Sequence, residues 1–369
     1  MQVITHLALG GAERVAFNLM RGLRDRYDFA LYAANGVEAG DVGQSMKREL
    51  EQLNVPLYVG TSVPIKRGGM ILAGWWGARA VKDFKPDIIH LHTEIPESSY
   101  AAMVSLKPGL AAIPLVRTIH NSIYWNPWRK LGRFCDRRMP RSFVACVAQG
   151  AKDAFEQLRQ ESAAGPVPQP PVIIFNGVFV SAAPRPTGNV PQGRIRILFA
   201  GRFEDQKGAD LLPLIVRGIQ PPMPCELTIH GSGTYEPALR ELSQNPPKGW
   251  TIGLHGPVPD LSSRLPQYDL LIMPSRYEGL ALLAIEAAML NVPVIATDGP
   301  GIREGFPPDY PYLARAGDAA DFTRVLQRAL DAPAAWPSAA VSAGTFVKRY
   351  FDLSAMCNAY AELYGQSLQ

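Results

Sequence analysis

The chain has 369 residues, enough for two domains of ordinary size. Its 47% hydrophobic and 19% charged residues exclude a disordered chain. The formal net charge of +4 is uneven: residues 1–175 carry 21 Lys/Arg against 15 Asp/Glu, and residues 176–369 carry 16 against 18, so only the first half has reason to face something anionic.

"MQVITHLALGGAER" lacks a basic leader before its apolar run and reads as a strand entering a loop, not a signal peptide. "VITHLAL" (3–9) is a predicted strand, followed by a helix in "AERVAFNLMRGLRD" (12–25), whose apolar positions recur at helical spacing. "FALYAA" (29–34), "PDIIHLHT" (86–93), "IPLVRTIHN" (113–121) and "FVACVAQ" (143–149) follow as strands. They show little alternation, which suits parallel strands buried on both faces. "SAAGPVPQPP" (162–171) and "SAAPRPTGNVPQG" (181–193) have the composition of a linker. A second set of strands runs through "RIRILFAGR" (194–202), "ELTIHGSG" (226–233), "TIGLHGPV" (251–258), "YDLLIMPS" (268–275) and "VPVIATDG" (292–299). The last segment, "FVKRYFDLSAMCNAYAELYGQ" from Phe346, reads as one helix with too many aromatics for a loose tail. The fold class is α/β: two doubly wound Rossmann-like domains, 1–175 and 176–345, facing across a cleft, with 346–369 packing back on the first. No run of about eighteen uncharged apolar residues occurs, so no transmembrane helix is expected. Cys135, Cys146, Cys225 and Cys357 show no CxxC spacing, which fits a reducing cytoplasm and no structural zinc.

In such sheets ligands bind beyond the carboxyl ends of the strands. "PSRYEGLALLAIEAAMLNVPVIATDG" places Glu278 in the turn after a buried strand and Glu286 about five residues into a helix over 281–290, roughly 8 Å further along its axis. Two carboxylates can grip vicinal hydroxyls, or serve as a cap and a salt-bridged helix face. Free N–H groups around Leu280–Leu282 favour an anion. In "AGRFEDQKG" (200–208), Arg202 and Lys207 can converge on one anion, and read alone the stretch is also a solvated loop. In "LALGGAER" (7–14), Gly10 and Gly11 let backbone approach a ligand or simply make a tight turn; the spacing is not GxGxxG. His90, His92 and His120 all end apolar strands, and Asn121 and Ser122 lead from His120 into a loop. No D-x-D occurs, so no metal ligand set is expected.

These stretches resemble the retaining GT-B glycosyltransferases of glycosyltransferase family 4. The resemblance lies in E-x7-E at Glu278 and Glu286, GR…KG at Arg202 and Lys207, GGAER, the "PDIIHLHT" and "RTIHN" strand ends, and "NGV" at 176–178. It covers about residues 3–365 and is most specific in the second half. It implies transfer of a sugar from a UDP- or GDP-sugar to a hydroxyl acceptor, a lipid-linked or surface-polysaccharide precursor, with no cofactor and no metal. Arg202 and Lys207 would hold the diphosphate, Glu278 the sugar hydroxyls and Glu286 the ribose. Gly10, Gly11, Gly279, Leu280 and Ala281 would border the donor. His120 would face the donor sugar, with His92 and Asn121 on the acceptor side. Arg276, Tyr277, Ala281 and Leu282 would set the choice of sugar. A GT-B-fold UDP-sugar epimerase and a non-catalytic nucleotide-sugar-binding relative stay open.

Two basic stretches interleave aromatics with cations: "YWNPWRKLGRFCDRRMPR" (124–141) and "IKRGGMILAGWWGARAVKDFK" (65–85). Each reads either as a solvated helix or as a surface for anionic lipid. The expected location is cytoplasmic, with peripheral contact to the inner membrane face. No nucleic-acid reading motif is present.

Overall fold

Apolar runs without alternation become all-parallel strands in this chain, the arrangement that needs helices on both faces. A computed structural model describes every residue except Leu9, Ile65, Lys66, Phe179, Ser181, Thr187 and Asn189. Parts of the "LALGGAER" motif, of the 65–85 stretch and of the 181–193 linker thus lie outside the described residues.

In chain order the first elements are β1 (Gln2–Ile4), α1 (Gly11–Leu23), β2 (Leu31–Ala33), α2 (Asp41–Gln52), β3 (Leu57–Val59), α3 (Gly69–Phe84), β4 (Ile89–His92), α4 (Glu94–Leu106), β5 (Leu115–Ile119), α5 (Arg129–Asp136), β6 (Phe143–Cys146), α6 (Gln149–Ser162) and β7 (Val172–Ile173). Then come β8 (Ile195–Ala200), α7 (Leu212–Gly218), β9 (Cys225–His230), α8 (Glu236–Gln244), β10 (Trp250–His255), β11 (Leu270–Met273), α9 (Leu282–Met289), β12 (Val294–Thr297), β13 (Leu313–Ala314), α10 (Ala319–Asp331), α11 (Trp336–Tyr350) and α12 (Leu353–Ser367). The chain divides into two compact units: Met1–Gly177 with Leu353–Gln369, and Val178–Asp352. The first holds a seven-stranded sheet in the order β3-β2-β1-β4-β5-β6-β7; the second holds a six-stranded sheet in the order β10-β9-β8-β11-β12-β13. Every strand pair is parallel, with Val3 opposite Tyr32 on one side and Leu91 on the other.

The structure departs from the sequence reading in four places. First, β1 stops at Ile4, and the run continues only as an isolated bridge from Leu7 to Val37. Second, the edge strands β3, β7 and β13 were not visible, because edge positions are not buried on both faces: β7 is exposed at both residues.

Third, the helix expected from Phe346 is two helices. α11 ends at Tyr350, the Phe351 carbonyl beyond it accepts from the Val178 N–H at 3.2 Å, and α12 belongs to the first unit. There Tyr360 and Tyr364 are fully buried, and each hydroxyl is satisfied: Tyr360 pairs with Thr118 Oγ1 at 2.9 Å and Tyr364 with His90 Nδ1 at 2.7 Å. Likewise the 181–193 segment is not a free tether throughout. Arg185 is buried in the second unit, ion-paired with Asp269 and donating to the Tyr268 carbonyl at 2.7 Å.

Fourth, the 124–141 stretch turns two of its four aromatics, Tyr124 and Trp125, into the core, while Trp128 and Phe134 are half-buried. Arg117 of β5, wholly buried, donates to Glu97 of α4 at 3.0 Å, to Asp136 of α5 at 2.9 Å and to the Tyr124 hydroxyl at 2.7 Å. Trp125 Nε1 donates to Glu97 at 2.9 Å, so Tyr124 and Trp125 become core. Arg129 is paired with Glu161 at 2.8 Å. All four cysteines are buried free thiols. Among the described residues no helix is long and apolar enough to cross a membrane.

Candidate active site

Each sheet has one point where its strand order reverses, and loops leaving such a point open a crevice at the strand ends. In the second unit the point lies between β8 and β11. Residues 201–211 follow β8 and carry Arg202 and Lys207; residues 274–281 follow β11 and carry Glu278 before α9. The Lys207 ammonium lies 2.6 and 2.8 Å from the two carboxylate oxygens of Glu278, which is only 5% exposed. Arg202 is exposed and donates to Gln206 Oε1 at 2.6 Å. The two cations therefore do not share one partner here: Lys207 is held by the acid expected to steer a sugar.

A brace fixes these loops to each other. Arg276 forms a two-pronged pair with Asp210, both contacts at 2.7 Å, and donates to the Asp205 carbonyl at 2.6 Å. The Arg276 hydrogen bond holds the Asp210 carboxyl below its usual range. Two glycines permit the approach. Gly208 (φ +66°) and Gly301 (φ +73°) are left-handed, and an added Cβ would lie 2.1 Å from the carbonyl oxygens of Pro274 and Glu278, respectively.

Backbone donors at the start of α9 are fewer than expected. The loop after β12 supplies carbonyls: Pro300 takes the Glu278 N–H at 2.8 Å and Gly301 takes the Ala281 N–H at 2.9 Å. Leu282 N–H turns back to the Leu280 carbonyl at 2.9 Å. Of the expected set, Ala281 and Leu282 are thus occupied, while the Gly279 and Leu280 N–H groups have no hydrogen-bond partner among the described residues. Glu286 is half-buried in α9 and accepts from Ser262 Oγ at 2.6 Å.

In the first unit the reversal lies between β1 and β4. Gln2 of β1, His92 at the end of β4 and His120 just past β5 form a chain. Gln2 Oε1 lies 2.7 Å from His92 Nε2, so that nitrogen carries the proton. His92 Nδ1 must then accept, and His120 Nε2–H donates to it across 3.0 Å. His120 is left with its Nδ1 lone pair. Gln2 Nε2 donates to the Tyr364 hydroxyl at 3.1 Å, which fixes the amide orientation. Beside His120, Asn121 Oδ1 and Ser122 Oγ are buried without a partner among the described residues. Gly10 precedes α1 in extended backbone, and an added Cβ would sit 2.2 Å from Glu13 Oε2. The Glu13 carboxylate thus lies beside Gly10 at the start of α1.

Burial keeps this histidine chain neutral. It pulls His120 down to about 3 and both His90 and His92 well below their ordinary value. The unfolded chain takes up these protons near pH 6.5 and the folded chain only much lower. Stability from the neutral rings is therefore complete above pH 6.5 and falls with pH, at up to about 1.4 kcal/mol per pH unit for each ring. Urea midpoints should drop steadily from pH 7 to pH 5. A flat profile would mean the rings are not held neutral.

The structure gathers Arg202, Lys207, Glu278, Gly279 and Leu280 at one strand-end cluster, with Glu286 further along α9; it gathers His92, His120 and Asn121 at another. Gln2, Gln206, Asp210 and Ser262 escaped the sequence reading. Gln2 left a faint signal, a polar residue in a buried three-residue strand. Asp210 and Ser262 left none, because Arg276 and Glu286 lie 66 and 24 residues away.

Two family profiles match the chain: "Glycosyltransferase Family 4" over residues 9–181 and "Glycosyl transferases group 1" over residues 194–332. A D-inositol 3-phosphate glycosyltransferase of Arthrobacter sp. (strain FB24) is 33% identical over 153 residues, 39% of this chain and 36% of that protein. The glycogen synthase of Mycobacterium tuberculosis is 23% identical over 297 residues, 77% of this chain and 69% of that protein. The chain thus spans about a third of the first relative's length and about two thirds of the second's. Among solved structures, Anabaena Alr3699/HepE in complex with UDP-glucose superposes with a TM-score of 0.77 at 18% identity, covering 99% of this chain and 98% of that one. Profiles spanning both units, together with two doubly wound parallel sheets, place the chain in glycosyltransferase family 4 (glycosyl transferases group 1), with the GT-B fold.

Proposed function

We propose that this glycosyltransferase moves a hexosyl group, with retention at the anomeric carbon, from a UDP- or GDP-sugar to a hydroxyl of a lipid-linked or surface-polysaccharide precursor, without a metal. The observation that carries the reading is the Lys207–Glu278 pair at a strand-order reversal, beside two unpartnered backbone N–H groups. Arg202, Lys207 and the Gly279 and Leu280 N–H groups would neutralise the diphosphate, as fixed donors do for a developing anion. On donor binding the Lys207 ammonium would exchange its carboxylate for phosphate oxygen. Glu278, released, would accept from the sugar hydroxyls, and Glu286 from the ribose. Leu282 and Ala281 would border the sugar at the start of α9. In the first unit, Gly10 and Gly11 would give close backbone approach, His92 would orient His120, and Asn121 would offer its free oxygen to the acceptor.

In the step itself, the bond from the anomeric carbon to the phosphate oxygen breaks and the acceptor oxygen bonds to that carbon on the same face. The acceptor proton passes to the departing phosphate oxygen, so the products are a glycoside and a nucleoside diphosphate. Neutral His120 would stabilise positive charge at the sugar through its Nδ1 lone pair. Catalysis then rests on positioning and electrostatics.

A thermal-shift series with UDP, GDP and their sugars tests this. One base should raise apparent stability by about 2.7 kcal/mol at a hundredfold excess over its Kd, with or without chelator. No response to any nucleotide diphosphate would end the reading. A donor converted to a new epimer without acceptor would replace transfer by epimerisation.

A further inference from the structure

Helix α3 is amphipathic the wrong way round for a core helix. Its packed face is made mostly of small residues: Gly69, Ala73, Gly74, Gly77, Ala78 and Ala80 are buried, together with Val81. They let it press close, since an added Cβ at Gly74 would lie 2.6 Å from Ala102 Cβ and one at Gly77 would lie 3.1 Å from the Tyr32 ring. The largest apolar residues point to solvent: Ile71 is 55% exposed, Leu72 41%, Trp75 43% and Trp76 40%. At positions i, i+1, i+4 and i+5 they form one stripe on one face. Single exposed apolar residues need no explanation, but a contiguous patch of this kind marks an interaction surface.

The stripe is built and charged. Trp75 and Trp76 meet edge to face at 4.7 Å, and the Arg79 guanidinium lies 5.0 and 5.4 Å from their ring centres. Arg67, Arg79, Lys82 and Lys85 are exposed around it against one acid, Asp83, which is engaged by the Tyr58 hydroxyl at 2.6 Å. Indole rings favour the boundary between water and hydrocarbon, and long cations beside them reach anionic headgroups.

We propose that this face of α3 docks the first unit on a bilayer containing anionic lipid. The charge balance and the tryptophan pair commit the surface to lipid. The binding does not depend on the sugar-transfer reading, though that reading gives it a use: presenting a lipid-linked acceptor.

Flotation of the full chain with vesicles decides the matter. Vesicles of phosphatidylcholine with phosphatidylglycerol should bind at least about 10-fold more protein than phosphatidylcholine alone, and the difference should shrink in high salt. Brominated lipid should quench tryptophan fluorescence. The double substitution Trp75→Ser and Trp76→Ser should cut partition by about 10-fold or more while leaving the circular dichroism spectrum and Tm unchanged. Arg79→Gln with Lys82→Gln should lower the preference for anionic vesicles. Three results would overturn docking: no vesicle binding, undiminished binding of the tryptophan variant, or a dimer in sedimentation that the same variant abolishes. Donor turnover measured with a water-soluble acceptor stands apart from all three, so failure of docking and failure of transfer are told apart.

Discussion

Lys207→Met should lower kcat/KM by about 10²–10³-fold, the loss seen when one preorganised donor to a developing anion is removed. It should also destabilise the second unit, for a separate reason. The Glu278 side chain is 7% exposed, and its two oxygens are both within 2.8 Å of the Lys207 ammonium. Without that ammonium a carboxylate stays buried and unpaired. Loss of one partner from a fully buried pair costs about 3–5 kcal/mol. Lys207 is a quarter exposed, so about 2 kcal/mol is expected here, or roughly 4–8 °C in Tm. The double substitution Lys207→Met with Glu278→Gln removes both charges and should recover most of the Tm. It should recover none of the transfer. Activity returning with stability would show that the lysine serves the fold alone.

Arg117→Met should be the most destabilising single change in the first unit. The guanidinium uses each of its three nitrogens: Nε toward Glu97, Nη1 toward Asp136 and Ser142, and Nη2 toward Tyr124. Burial opposes ionisation of Asp136, and Arg117, Ser162 and Arg159 outweigh it, so its carboxyl sits below the usual range. Stripping out Arg117 leaves two buried carboxylates with fewer donors, at a cost of about 3–5 kcal/mol. Arg117→Lys should rescue little, because an ammonium cannot reproduce the planar fork. Urea unfolding followed by fluorescence checks this, since Trp125 reports on the cluster through its bond to Glu97. The chain from His120 to Trp125 is tied down by the same cluster, so transfer should fall with it. A loss below about 1 kcal/mol would mean the carboxylates find other partners or take up protons.

Much of this architecture is legible in the residues, and the limits have physical causes. A central strand such as Leu270–Met273 is apolar throughout because both its sides are covered, while Ile89–His92 and Ile195–Ala200 each carry polar residues within an apolar run, with His92 at one strand's end and Arg202 just beyond the other. Edge strands lack that signature: Leu57–Val59 is only partly buried. Contacts across long separations carry no local mark. Lys207 and Glu278 are 71 residues apart, and nothing in "AGRFEDQKG" shows that its lysine meets an acid and not an anion from outside. Trp125 reads as an interfacial aromatic until Glu97, 28 residues earlier, is seen to draw its ring inward. The real surface aromatics, Trp75 and Trp76, sit in a helix whose small residues look like the weaker face.

A crystal structure with an intact UDP- or GDP-sugar tests the central claim most directly. The diphosphate oxygens should lie within about 3 Å of Arg202, Lys207 and the Gly279 and Leu280 N–H groups, with the lysine drawn off Glu278 and that acid turned to the sugar. A diphosphate bound elsewhere, with the Lys207–Glu278 pair still closed, would contradict it.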